Sequence, residues 1–248
     1  PWTKRLLRGA TCRVFTYAEQ AEADLQAKNV SLGADHIAFD AVEKSGSVPV
    51  QVGIPGGFMV YNTLDVLGAA QALGVSLEES ARVLAAVPHV KGRVEVVPTP
   101  GKDYTILIDY AHSPDGLENV LTSVKGFAKG RTIALFGCGG DRDKTKRPKM
   151  GKIAADIADF VVVTSDNPRT ENPGDIIADI LPGLEGSNTP HVVIEDRVEA
   201  IHWAMDHAQP GDVIALCGKG HETYQEINHV KHHMDEREIV ADYLKAGN

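Results

Sequence analysis

Cysteine is scarce. Cys12, Cys138 and Cys217 are the only three in 248 residues, and they lie far apart with no CxxC spacing. Neither a disulfide framework nor a thiolate metal site is written into such a chain, and a reducing, cytoplasmic setting is expected. Long apolar runs are lacking as well: none approaches the roughly 18 residues needed to cross a bilayer. The basic stretch from Pro1 to Arg8 is not followed by an apolar segment, so neither a membrane span nor a signal peptide is expected. Positive charge is also short, with 25 Lys and Arg against 34 Asp and Glu and a formal net charge of -9. Binding along a phosphate backbone needs clustered cations, so nucleic acid is not an expected partner.

What the chain does have is enough apolar residue, 43%, to bury a core, which excludes disorder. Its length allows one large or two modest domains, and two are expected, with the boundary near Lys91. Residues 1–91 carry isolated signals: strand and loop pieces at Cys12 to Thr16 and Ile37 to Val42, then a Gly-rich segment from Gly53 to Gly57. From Asn62 a helix is expected, with Leu64, Leu67, Gly68, Gln71 and Ala72 at helical spacing and a stop at Gly74. Ser76, with Glu79 three residues on, forms a capping-box pattern for a second helix that Pro88 ends. Pro88 to Gly101 has the composition of a linker.

Residues 92–248 alternate between short apolar runs and helical periods. Strands are expected at Tyr104 to Ile108, Thr132 to Phe136, Phe160 to Thr164, His191 to Ile194 and Asp212 to Leu216, each followed by an amphipathic helix. Pro114 and Pro173 stand at first helical positions. Such alternation predicts an α/β fold with a doubly wound, mostly parallel, Rossmann-like sheet.

Ligands of these sheets bind outside the carboxyl ends of the strands. The loops expected there are Asp109-Tyr110-Ala111-His112, Gly137 to Asp143, Asp166-Asn167-Pro168-Arg169 and Gly218 to Glu222. Together they offer cations at Arg142, Arg169 and Lys219, and carboxylates at Asp109, Asp141, Asp166 and Glu222. A mixed set of this kind suits a zwitterion such as an amino acid, or phosphate with magnesium. Charges pairing with one another on a solvated rim are the plainer reading, and their clustering on one edge weighs against it. Other motifs fail. Arg142 stands where a P-loop needs glycine, which makes Lys144-Thr145 a decoy, and Gly218 and Gly220 miss the third glycine of a dinucleotide fingerprint. His229, His232 and His233 have no cysteine partners and read as a solvated turn, while Cys138 and Cys217 read as small core residues.

These four loop sequences, in this order and spacing, resemble the C-terminal half of the Mur ligases, and the resemblance runs from Lys4-Arg5-Leu6-Leu7 to the last helix. It implies that residues 1–91 are the C-terminal part of an ATP-binding central α/β domain and residues 92–248 the domain that receives the incoming amino acid. Within the family, Asp-Asn-Pro-Arg accompanies members that add meso-diaminopimelate to UDP-N-acetylmuramoyl-L-alanyl-D-glutamate in peptidoglycan synthesis. By position, Asn62, Arg93, Asp109, Tyr110 and His112 then belong to the ATP site, and Arg142, Asp166, Asn167, Pro168, Arg169, Gly218 and Glu222 to the amino-acid pocket. The implied reaction is amide formation through an acyl phosphate, with ATP and Mg2+ as cofactors. Arg142 and Arg169 are expected on the distal carboxylate of diaminopimelate and Glu222 on its distal ammonium. Lysine is expected to be rejected because it would leave a buried arginine unpaired, at about 1–3 kcal/mol. The family's P-loop, magnesium ligands, modified lysine and UDP-sugar domain have no counterpart here, so no metal ligand is expected in this chain. The missing N-terminal half is an expected partner, and the chain is expected to be inactive alone. Two other readings are a stand-alone amino-acid or nucleotide sensor and a folylpolyglutamate-type ligase, against which the Asp166 to Arg169 motif speaks.

Overall fold

The computed structural model describes residue 5 and residues 7–33, 35–87 and 90–247. A first sheet has the order β1-β2-β3-β4, with β1 at Tyr17–Ala18, β2 at Leu25–Leu32, β3 at Ile37–Glu43 and β4 at Gly46–Val52. The last three form an antiparallel meander, and β1 adds to β2 in parallel. Alternate residues Ile37, Phe39 and Ala41 of β3 are buried, together with Leu25 and Ala27 of β2 and Val50 and Val52 of β4. That face packs on Val60, Leu64 and Leu67 of helix α1 (Phe58–Ala72) and on Leu77 and Ala81 of α2 (Leu77–Ala86). Pro49 sits in β4 without breaking a ladder, since β4 is an edge strand.

Helix α1 starts at Phe58, four residues before the expected Asn62, so Asn62 lies inside it. The capping box before α2 is half formed. Ser76 accepts from the Glu79 amide at 3.1 Å, while the Glu79 carboxylate turns away to Arg82. Pro88, expected to end α2, lies outside the described residues with His89.

The second sheet carries six strands in the order β5-β6-β10-β7-β8-β9. They are β5 (Glu95–Val97), β6 (Thr105–Asp109), β7 (Thr132–Phe136), β8 (Phe160–Val163), β9 (His191–Val193) and β10 (Val213–Cys217). All neighbours pair in parallel except β5, which runs antiparallel to β6. The five expected strands are present. The expected linker was only partly right, because β5 lies inside it.

Pleating sorts the sheet residues between two cores. Leu107, Ala134, Phe136, Val161 and Ala215 face α3 (Pro114–Phe127), α4 (Lys146–Ile157) and α5 (Pro173–Ile180). Ile106, Ile108, Leu135, Val162 and Leu216 face α6 (Arg197–Asp206) and α7 (Glu236–Lys245). Strands β6 to β9 advance with helices on one face. The connection back to β10 crosses the other face, as right-handed crossovers require. Between β10 and α7 the chain makes a hairpin of β11 (Tyr224–Ile227) and β12 (Val230–His233), where only a loop had been expected.

Candidate functional site

The four polar loops leave the carboxyl ends of β6, β7, β8 and β10 and meet along one edge. Two adjoining cavities open there. The first, of about 300 Å³, is lined by Phe58, Asn62, Arg93, Asp109, Tyr110, His112 and the start of α3 at Ser113 and Gly116. All five residues expected at the nucleotide therefore come together. The Tyr110 ring stacks at a tilt on His112 and His221, with ring centres 4.7 and 5.2 Å apart, and the Arg93 guanidinium lies 5.5 Å from its centre. Asp109 is 4% exposed, and its two carboxylate oxygens accept from the amides of Val94 at 2.8 Å and Ala111 at 2.7 Å. Both oxygens thus hold backbone, and burial pushes its carboxyl above the ordinary value against those hydrogen bonds.

The second cavity, of about 270 Å³, shares Tyr110 and His112 with the first. Arg142, Asp166, Asn167, Arg169, Gly218 and Glu222 line it, together with Asp143 and Lys146. Pro168 alone of the expected residues is absent from the lining. Its carbonyl accepts from the Glu171 amide and so shapes the loop. The arginines differ from expectation. Arg142 is exposed, whereas Arg169 is 19% exposed and already donates to the Gly140 carbonyl at 2.8 Å and pairs with Glu226 at 3.4 Å. A lysine ligand would therefore not strand a buried, unpaired arginine.

Glycines let the loops approach. Gly92 has φ +72°, and a Cβ there would overlap the Gly220–His221 peptide. Gly218 has φ +113°, and a Cβ there would stand 2.6 Å from Asp166 Oδ2.

Beneath the cavities lie charged anchors that sequence reasoning missed. Arg197, fully buried, pairs with Glu236 and donates to the carbonyls of Cys217 and Ser165, joining the ends of β10 and β8. Arg147, equally buried, pairs with Glu171 and Asp179. Arg237 binds Glu95, Asp235 and the Gly220 carbonyl. Local spacing does not mark these residues, because apart from Asp235 beside Arg237 their partners are distant in sequence. Lys144 pairs with Glu171 at 2.9 Å and Thr145 bonds Asp143, as suits a decoy motif. His229, His232 and His233 fall on the exposed hairpin. Among the described residues no group of three or more His, Cys, Asp or Glu is placed to hold a metal ion, and no helix is long and apolar enough to cross a membrane.

Comparison with known proteins shows the family of the chain. The family model described as "Mur ligase, glutamate ligase domain" matches residues 92–220. The UDP-N-acetylmuramoyl-L-alanyl-D-glutamate--2,6-diaminopimelate ligase of Clostridium botulinum is 41% identical over 98% of the chain and 50% of its own length. The enzyme of the same name from Caldanaerobacter subterraneus is 44% identical over the same shares. A solved structure with that name superposes with a TM-score of 0.67 at 36% identity, over 99% of this chain and 50% of the other. The chain thus spans about half the length of the curated relatives it matches.

Proposed function

The chain belongs to the Mur ligase family, and we propose that it is the nucleotide- and amino-acid-binding half of an ATP-dependent ligase adding meso-diaminopimelate to UDP-N-acetylmuramoyl-L-alanyl-D-glutamate. In this reading residues 1–91 complete a central ATP domain and residues 92–248 form the amino-acid domain, within a cytoplasmic enzyme of cell-wall synthesis. The observation that carries it is the pair of cavities sharing Tyr110 and His112. Two ligands bound there would meet at those side chains.

The first cavity fits a nucleotide chemically. It offers an amide at Asn62, a cation at Arg93, an aromatic face at Tyr110 and the amino end of α3. ATP, when bound, supplies the phosphoryl group that activates a carboxyl for amide formation. The residues of this chain contribute binding and orientation. The second cavity fits an amino acid with a second zwitterionic centre: Arg142 and Arg169 can face a carboxylate and Glu222 an ammonium. Holding the amine in line with its target would supply most of the advantage, since positioning converts a bimolecular encounter into a local one. Magnesium ligands, the P-loop and the UDP-sugar site belong, in this reading, to the half of the ligase outside this chain.

Calorimetric titration with meso-diaminopimelate and with L-lysine tests the proposal. Binding of meso-diaminopimelate, at least tenfold weaker binding of lysine, and loss of that preference in Arg169→Ala are expected. Equal affinity for the two amino acids, or no binding of either, would sink it.

A further inference from the structure

Lys219 is 0% exposed, an unusual position for an ammonium group, which is rarely buried without partners. Its partners are two residues of the second cavity. Nζ lies 3.0 Å from Asn167 Oδ1 and 3.3 Å from Glu222 Oε2. Asn167 in turn donates through Nδ2 to the same Glu222 Oε2 at 2.8 Å. The three side chains close a ring of hydrogen bonds between the loop after β8 and the loop after β10. Asn167 Oδ1 also accepts from the Glu226 amide at 2.9 Å, and the Tyr224 ring lies 5.7 Å from Nζ on another side.

One consequence concerns Glu222. Its Oε2 is bound twice, while Oε1 has no hydrogen-bond partner among the described residues, and Glu222 lines the cavity. The ring therefore fixes the carboxylate by one oxygen and leaves the other for a ligand. Lys219 does not line the cavity itself. Resting on the function proposed above, we propose that Lys219 is a positioning residue, which aims the free oxygen of Glu222 at the ammonium group of the incoming amino acid.

A bystander lysine would be replaceable by a residue of similar length, but a positioning lysine acts only through Glu222. The test is a double-mutant cycle on the full chain, titrating meso-diaminopimelate into the parent, Lys219→Met, Glu222→Gln and the double variant. Each single change is expected to weaken binding by about tenfold or more, and the double variant is expected to be no weaker than the worse single, because residues acting as a unit are non-additive. Multiplying effects, or parental affinity in Lys219→Met, would overturn the role of Lys219 and leave the functional reading standing. Failure of the parent to bind would instead overturn the functional reading. A second measurement avoids any Lys219 substitution. The Lys219 15Nζ and Asn167 15Nδ2 resonances of the parent are both expected to shift on addition of meso-diaminopimelate and in Glu222→Gln. Unchanged resonances in Glu222→Gln would refute the ring.

Discussion

Arg197 and Glu236 form an ion pair of 2.8 Å in which the side chains are 0% and 1% exposed. The guanidinium also donates to Cys217 O and Ser165 O, so this pair supports the two strand ends from which Gly218 and Asp166 emerge. Arg197→Met leaves the Glu236 carboxylate buried without its cation, and Glu236 Oε2 already lacks a partner. Removing one member of a buried pair costs about 3–5 kcal/mol. Urea unfolding of the variant is expected to show a loss of that size, and a loss below about 1 kcal/mol would show that the pair is not needed.

Gly92→Ala is expected to destabilise the chain although it adds a single methyl group. The left-handed backbone alone costs an L-residue about 1–2 kcal/mol, and the overlap with Gly220–His221 adds to it. Because Gly92 O accepts from the Tyr110 amide, ADP affinity should fall in the same variant. Denaturant midpoints and fluorescent-nucleotide titration check both effects.

Acid should weaken the fold through Glu171. Hydrogen bonds from Arg147, then from Lys144 and the Asp141 amide, hold its carboxyl at about 2 against an ordinary 4.5. A group with a depressed folded value contributes stability above its unfolded value and loses it as pH falls toward the folded one. The window is therefore from about pH 4.5 down to about pH 2. Glu171→Gln is expected to be less stable at neutral pH, with a flatter stability curve in that window. Parallel curves for the two proteins would contradict the assignment.

Thiol reactivity should divide the cysteines. Burial pushes the Cys138 thiol up to about 12 and raises Cys217 as well, while Cys12 is exposed. Thiolate is the reactive form. An aromatic disulfide reagent is expected to label Cys12 alone in the native chain and all three cysteines in urea, read by peptide mass spectrometry. Rapid native labelling of Cys138 would mean that the loop after β7 opens.

Much of the second sheet was legible because buried parallel strands are short apolar runs set apart by helical periods. Val161 to Val163 and Ile214 to Leu216 could be read directly for that reason. The β11–β12 hairpin was not, since its strands are half-buried or exposed. Its turn uses Asn228 and His229 at φ 48° and 64°, without the glycine that usually marks such a turn. Strand β5 escaped because only three residues pair, between glycine and proline signals. At the site, the loop motifs and the family resemblance pointed to the residues that converge, as Tyr110 and Asn62 respectively illustrate. They did not disclose which polar groups are already occupied by protein partners. Asp109 spends both oxygens on backbone, Arg169 meets Glu226, and Glu222 keeps one oxygen free. Those facts depend on partners brought together by the sheet.

The place of β10 bears on how the molecule is made. It is the last strand of its sheet in the chain, yet it lies between β6 and β7 and pairs with both along its whole length. A ribosome that has delivered β6 to β9 has therefore produced two facing strand edges with an open slot between them. Exposed edges of that kind recruit foreign strands. Until the chain past Val213 to Cys217 emerges, the second cavity lacks Gly218 and Glu222, so that side of the edge is completed late in synthesis.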